Sequence, residues 1–318
     1  MIINLRTGSI GMNNLLKIIN LKRSSLLVSA LLIAACGGGG GGSTDTDNSN
    51  NNSQQNTQIV DFSTKTDAEI TALAGNAVNA GGIEDKSDSL ENNSGSPIIT
   101  PCDNQGGTID SQADASGYGT YTFLNCTLTS SSITINGQFI YGRSNVTGFD
   151  DFFTFNTVKI AESVATFTLN GELHESTTTD GVTESGKLSI NGKPFTLIIA
   201  SSKLNGTFTF NNFDESYTDD LNAKQSVTTI SYTVSSSNFG GTLTVKTITP
   251  VKHRYIIDDY PYEGVYEITD GQGGKVVATI QGSGLATGIV NLQIDKDGDG
   301  TFESSNDVTW SEFAEKLS

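Results

Sequence analysis

The chain is poor in the side chains from which most catalytic centres are built. It has two histidines, one tryptophan and three cysteines in 318 residues. A nucleophilic enzyme needs a nucleophile, a base and a group that orients the base. His174 sits in Leu173-His174-Glu175, off the apolar parity of its strand, and is expected to face solvent. His253 lies among cations in Val251-Lys252-His253-Arg254-Tyr255. There is no Gly-x-Ser-x-Gly elbow, phosphate loop, dinucleotide fingerprint or His-rich metal motif. Asp258, Asp259 and Glu263 are the obvious paired carboxylates for glycoside chemistry. They flank Tyr260-Pro261-Tyr262, which reads better as a solvated aromatic turn. The expectation is a protein that is not an enzyme.

Basic charge is also scarce. Lys and Arg number 18 against 35 Asp and Glu, a net charge of −17. That balance argues against nucleic acid and against docking on an anionic membrane surface. It suits divalent cations, basic partners or plain solubility. Long apolar runs are missing as well. The longest, 24–35, has 12 residues, where a membrane-spanning helix takes about 20.

That short run has its own meaning. Lys17, Lys22 and Arg23 precede it, and small residues end it. A basic flank, a short apolar core and a small-residue break describe a secretory signal peptide over residues 1–35, with Met12 the more natural start. Ile33-Ala34-Ala35-Cys36 resembles the bacterial lipobox. The resemblance implies that Cys36 is acylated and becomes the mature N-terminus. Gly37 in place of an Asp implies the outer membrane, on its periplasmic face or at the cell surface. The membrane is then a partner through lipid on Cys36, and several acyl chains hold stably where one is marginal. Arg6, Lys17, Lys22 and Arg23 leave with the signal and no acidic residue does, so the net charge moves from −17 to −21.

Residues 36–57 form a linker of Gly, Ser, Thr, Asp, Asn and Gln with no hydrophobic residue after Cys36. Such a segment cannot bury enough apolar surface to fold. As a coil of about 20 residues it spans roughly 25 Å. Residues 58–100 hold a short helix and a polar loop. Thr66-x-x-Glu69 is a capping box, Ala68, Ile70, Leu73, Ala74 and Val78 give an apolar face, and Gly81-Gly82 stop it.

With Cys36 acylated, Cys102 and Cys126 are an even pair in an exported protein, and a structural disulfide is expected. The surrounding Cys102-x-x-x-Gly106-Gly107, Phe123-Leu124-Asn125-Cys126 and Asn136-Gly137 resemble an arrangement in uncharacterised lipoproteins of Gram-negative bacteria. That resemblance covers about 40 residues and implies no activity.

Residues 101–318 read as an all-β domain. From Tyr118 to Ile294, Val, Ile, Thr, Phe and Tyr recur at period two with no helical periodicity. The expected strands are 118–128, 132–142, 151–162, 164–174, 185–191, 195–202, 204–212, 226–235, 241–248, 253–258, 263–269, 275–281 and 288–294. Short connections predict an antiparallel meander of about 10–13 strands, as a strongly curved sheet, barrel or sandwich. Asn-Gly normally marks a hairpin turn. Yet Ile135, Gly137 and Phe139 share a parity, as do Leu169, Gly171 and Leu173, and Leu204, Gly206 and Phe208. Those glycines are expected inside strands, at bends. Only Asn191-Gly192 breaks phase, and it is expected to be a turn.

One stretch carries ligand chemistry. Asp295-Lys296-Asp297-Gly298-Asp299-Gly300-Thr301-Phe302-Glu303 resembles the first half of an EF-hand-type calcium loop. The resemblance implies side-chain oxygens from Asp295, Asp297 and Asp299, the carbonyl of Thr301, and Glu303 acting through water. Position 12 is Asn306 rather than Glu, and a strand rather than a helix enters, so weak affinity is expected. The chain ends with a second capping box, Thr309-x-x-Glu312, and an apolar stripe of Trp310, Phe313, Ala314 and Leu317. This short C-terminal helix is expected to pack on the sheet or plug one end of it. The composite expectation is a lipid-anchored scaffold or binding module. The alternative is a carrier of an apolar ligand inside the curved sheet, and a carboxylate hydrolase is remote.

Overall fold

The computed structural model describes residues 59–80, 102, 107–114, 118–127, 134–161, 165–201, 205–254, 258 and 260–313. The signal, Cys36, the linker, Gly81-Gly82, the 83–97 loop, Asp259, Ala314 and Leu317 lie outside them.

The chain is a single antiparallel meander. Its strands are β1 (Thr108–Ala113), β2 (Gly119–Thr127), β3 (Thr134–Arg143), β4 (Asp151–Ala161), β5 (Ala165–Thr179), β6 (Thr183–Ser189) and β7 (Phe195–Ser201). They continue as β8 (Asn205–Asp220), β9 (Gln225–Ser236), β10 (Gly241–His253), β11 (Glu263–Thr269), β12 (Lys275–Gln281), β13 (Ile289–Asp295) and β14 (Ser304–Thr309). All 14 belong to one sheet. β6 pairs with the second half of β5, and β7 with its first half. Both also pair with β8. They are therefore one strand interrupted at 190–194. Lys193 N–H donates to the Ile190 carbonyl at 3.1 Å across Asn191-Gly192. The turn expected there is real, but the chain resumes its direction after it.

The glycines expected inside strands are inside strands. Gly137 and Gly171 have φ of 115° and 134°, a region open in practice only to glycine. Gly137 lies at a register shift between β3 and β4. Gly171 sits opposite Phe155 of β4, and a shift follows between Phe155 and Val158. Asn125, Thr157 and Asn212 take positive φ at the neighbouring shifts. Repeated bulges bend a sheet. The two end strands each have one partner among the described residues, so the curved sheet is not closed by strand pairing.

One face of the sheet is the core. Phe123, Phe139, Phe155, Phe167, Phe195, Phe208, Phe210 and Phe213 are buried on it. The rings of Phe139, Phe155, Phe195, Phe210 and Phe213 meet aromatic neighbours at centroid distances of 5.4–6.2 Å. Truncating one such ring costs about 3–5 kcal/mol. The Cys102–Cys126 disulfide is formed, and Cys126 is fully buried.

Helix α1 (Asp67–Ala80) and helix α2 (Trp310–Phe313) cover part of this face and touch each other. Both capping boxes form. Thr66 N–H reaches Glu69 at 2.8 Å, and Thr309 N–H reaches Glu312 at 2.7 Å. Ile70, Ala74 and Ala77 make the buried stripe of α1, whereas Ala68 is exposed. The helices approach closely because residue 75 is glycine. A Cβ there would fall 1.7 Å from the Phe313 carbonyl oxygen. Tyr232 donates its hydroxyl to the Ala77 carbonyl at 2.6 Å, fixing α1 on β9.

Four expectations need correction. β1 and β14 were not expected, and β10 runs past 248 to His253; Arg254 and Asp258 lie in no strand, and 255–257 lie outside the described residues. Tyr260 is no solvated turn residue; it is buried and stacks on Trp310 at 5.5 Å. Trp310 in turn donates Nε1–H to the Pro261 carbonyl at 3.0 Å. His174 does not face solvent. Its parity is on the outer face, but the 144–150 connection covers it there, and it is 2% exposed.

Candidate metal centre in an acidic hairpin

The acidic stretch is the connection between β13 and β14. Register fixes its ends: Ile294 pairs with Ser304, and Glu303 N–H donates to the Ile294 carbonyl at 2.9 Å. Asp295 is therefore the last residue of β13, the strand next to the sheet's edge, and is fully buried, while Asp297, Asp299 and Glu303 are exposed.

The loop turns on its own carboxylates. Asp295 accepts from Gly298 N–H through Oδ1 at 2.8 Å and from Gly300 N–H through Oδ2 at 3.0 Å. Asp297 accepts from Asp299 N–H at 3.1 Å, and Asp299 from Thr301 N–H at 2.7 Å. Glu303 reaches back to Lys296 N–H at 2.8 Å. The geometry needs Gly298, with φ of 74° and a Cβ position only 2.6 Å from the Gly273 carbonyl oxygen. The result gathers ligand oxygens of Asp295, Asp297, Asp299 and Glu303 within 4.8 Å of one another. Oxygens bound to calcium at 2.3–2.6 Å lie at most about 5 Å apart across the ion. The spacing fits that sphere.

The departure from the EF-hand pattern has a structural cause. Asn306 pairs with Leu292 inside the sheet, and Asp307 accepts from Asn291 Nδ2 at 2.7 Å. The chain has returned to pairing before a twelfth ligand can be offered. Lys296 points its ammonium away from the carboxylates, to Asp67 of α1 at 2.6 Å. That contact holds the Asp67 carboxyl below its ordinary range.

The other candidate residues do not converge. Asp258 is buried in a two-point pair with Arg254, at 2.6 and 2.9 Å. Glu263 pairs with Lys252 at 2.8 Å. His253 is buried and donates Nε2–H to the Asp258 carbonyl at 2.9 Å. Of the three carboxylates weighed there, Asp258 and Glu263 are thus held in separate ion pairs, and Asp259 lies outside the described residues.

Sequence reasoning missed a polar sector of the core face. After the shift at Asn212, the inward positions of β8 become Glu215, Tyr217 and Asp219. Glu184 of β6 lies directly opposite Asp219, and Ser226 and His253 complete that row. Burial, with the charge of Glu215, pushes the Tyr266 hydroxyl well above its usual range. A phase break through Asn211-Asn212 was the available signal, since the expected strand stopped there.

Known proteins add no further guide: no family model, no curated protein and no solved structure matches this chain.

Proposed function

We propose that this is a lipid-anchored protein of the outer membrane whose β-sheet is a binding platform, with calcium held weakly at the 295–303 hairpin. The observation that carries the reading is the convergence of four carboxylates within 4.8 Å on a loop pinned between two paired strands. Calcium takes oxygen ligands in flexible geometry, and a site lacking the bidentate twelfth ligand suits dissociation constants of about 10⁻⁴–10⁻³ M, as in extracellular modules. An exported protein meets calcium at such concentrations. Anchoring rests on the lipobox-like Ile33-Ala34-Ala35-Cys36, and the strongly acidic charge speaks against nucleic acid as a partner.

A scaffold or binding module is favoured over a carrier because the apolar face is filled by its own aromatic rings. The described grooves, of 480 and 290 Å³, are lined largely by Ser, Thr and Lys. For the anchor, Cys36→Ser should leave an unprocessed precursor without acyl mass. A Cys36→Ser protein that still carries acyl chains would refute it. For calcium, a rise in melting temperature abolished by Asp297→Ala with Asp299→Ala is expected.

A further inference from the structure

The outer face of β5 carries an arrangement that the acidic hairpin does not use. Period two puts Glu172 and His174 on one face of that strand. The β3–β4 connection folds over them and brings Ser144. Ser144 Oγ lies 2.8 Å from His174 Nδ1, and His174 Nε2 lies 3.1 Å from Glu172 Oε1.

Chemistry assigns the protons. A carboxylate only accepts, so Nε2 carries hydrogen. In the neutral ring Nδ1 is then a lone pair, and the Ser144 hydroxyl donates to it. Val146 N–H donates to Ser144 Oγ at 3.1 Å, which leaves the hydroxyl proton directed at the ring. The acid is fixed in its turn. Glu172 accepts from Lys193 at 2.8 Å and from Thr154 at 3.3 Å. Despite the cost of its burial, Lys193 and His174 hold its carboxyl below the ordinary glutamate range. His174 is buried near the rings of Phe149 and Phe152, at 6.0 and 6.2 Å. Ser144 is half-buried and so reachable.

Base, orienter and hydroxyl thus form one hydrogen-bonded chain, the pattern that activates a serine. The ring nitrogens are used in the opposite sense from the common triad, with serine on Nδ1 and acid on Nε2, but the roles are the same. Phe149 also lines the 290 Å³ groove, together with Leu188, Ile230, Lys187 and Lys246. Phe149, whose ring lies 6.0 Å from that of His174, is thus shared between the relay and this groove, which Asp214 and Glu215 also line.

We propose that Ser144, His174 and Glu172 form a nucleophilic relay that hydrolyses short acyl esters. Ser144 Oγ attacks the ester carbonyl carbon while its proton passes to His174 Nδ1. The bond to the leaving alcohol breaks, and the departing oxygen takes that proton. Water, deprotonated by the same nitrogen, then cleaves the acyl-serine, releasing the acid and restoring Ser144. Glu172 touches no reacting atom and acts as a positioning residue. This goes beyond the calcium platform and is independent of it; if it holds, the non-enzymatic expectation falls.

The test treats the full-length protein with a fluorophosphonate probe and, separately, with 4-nitrophenyl acetate. The expected result is a single adduct mapped to Ser144, and ester hydrolysis that Ser144→Ala returns to the protein-free rate. Glu172→Gln should slow hydrolysis by about 100-fold or more, the scale of lost acid–base assistance, with the melting temperature kept. A purely structural Glu172 would instead lower melting and leave the rate of the folded fraction unchanged. Absence of an adduct on Ser144 in the wild-type protein, or hydrolysis undiminished in Ser144→Ala, overturns the proposal without reference to the stability of any variant.

Discussion

Replacing Gly171 by alanine should cost far more than the same change at Gly192, although both follow an asparagine and both have positive φ. Gly192 sits in the turn between β6 and β7 with φ of 73° and nothing within 4 Å of a Cβ. Alanine there pays only for a left-handed backbone, about 1–2 kcal/mol. The stiffer unfolded chain returns about 0.4–1 kcal/mol of that. Gly171 has φ of 134°, beyond the left-handed helical region. Its Cβ would lie 2.9 Å from a ring carbon of Phe195, 3.0 Å from the Phe195 Cα and 3.2 Å from the Pro194 carbonyl oxygen. Two of these are backbone atoms and cannot swing aside. The space is used by Phe195, whose ring meets Phe155 edge-on at 5.7 Å over the glycine. Overpacking of about 1–3 kcal/mol adds to the backbone strain, for a total of about 2–5 kcal/mol. Urea unfolding followed by far-ultraviolet circular dichroism reads the difference as a shift of midpoint at constant slope. Equal shifts for the two variants, or less than about 1 kcal/mol at Gly171, would refute the mid-strand assignment of these glycines.

Four further outcomes follow from the fold. Serine at both Cys102 and Cys126, whose separation is 24 residues, removes about 3.5 kcal/mol by the loop-entropy relation, read as a lower urea midpoint. Trp310→Phe removes the bond to the Pro261 carbonyl and should destabilise by about 1–3 kcal/mol. Because Trp310 is the sole tryptophan and buried, wild-type unfolding should shift its emission to the red. The backbone N–H groups of Thr66 and Thr309 hold the Glu69 and Glu312 carboxyls below their ordinary range. A depressed folded pKa gives stability that is complete above the unfolded value and is lost as pH falls through the folded one. Stability should therefore decline below about pH 4.5, and more shallowly in the Glu69→Gln, Glu312→Gln double variant, measured by unfolding between pH 6 and 3.

Much of the fold was legible because parity is a local signal. Ile135, Phe139, Phe167, Leu169 and Phe208 alternate without a break through their glycines, and the observed strands keep that phase. The capping boxes at Thr66 and Thr309 were legible for the same reason: three residues suffice. β1 and β14 were not, because Thr-Ile-Asp-Ser-Gln-Ala and Ser-Ser-Asn-Asp-Val-Thr pair through backbone and bury little. Parity also gives a face without saying what covers it. His174 is on the outer face as expected, and only tertiary structure lays Ser144 and Phe149 over it. Likewise the acidic loop was legible through Asp295, Asp297 and Asp299, whereas the reason Asn306 cannot be a ligand is its pairing with Leu292, set by a strand that sequence did not reveal.

Calcium at the 295–303 hairpin is tested by thermal unfolding of the protein with and without about 10 mM calcium. With a dissociation constant of about 10⁻³ M, ligand linkage adds roughly 1.4 kcal/mol, a rise of about 2–3 °C for a chain of this size. Asp297→Ala with Asp299→Ala should abolish the rise, and magnesium should not reproduce it, because magnesium demands tighter octahedral geometry. A melting temperature unmoved by calcium, or a rise that persists in the double variant, contradicts calcium binding at this hairpin.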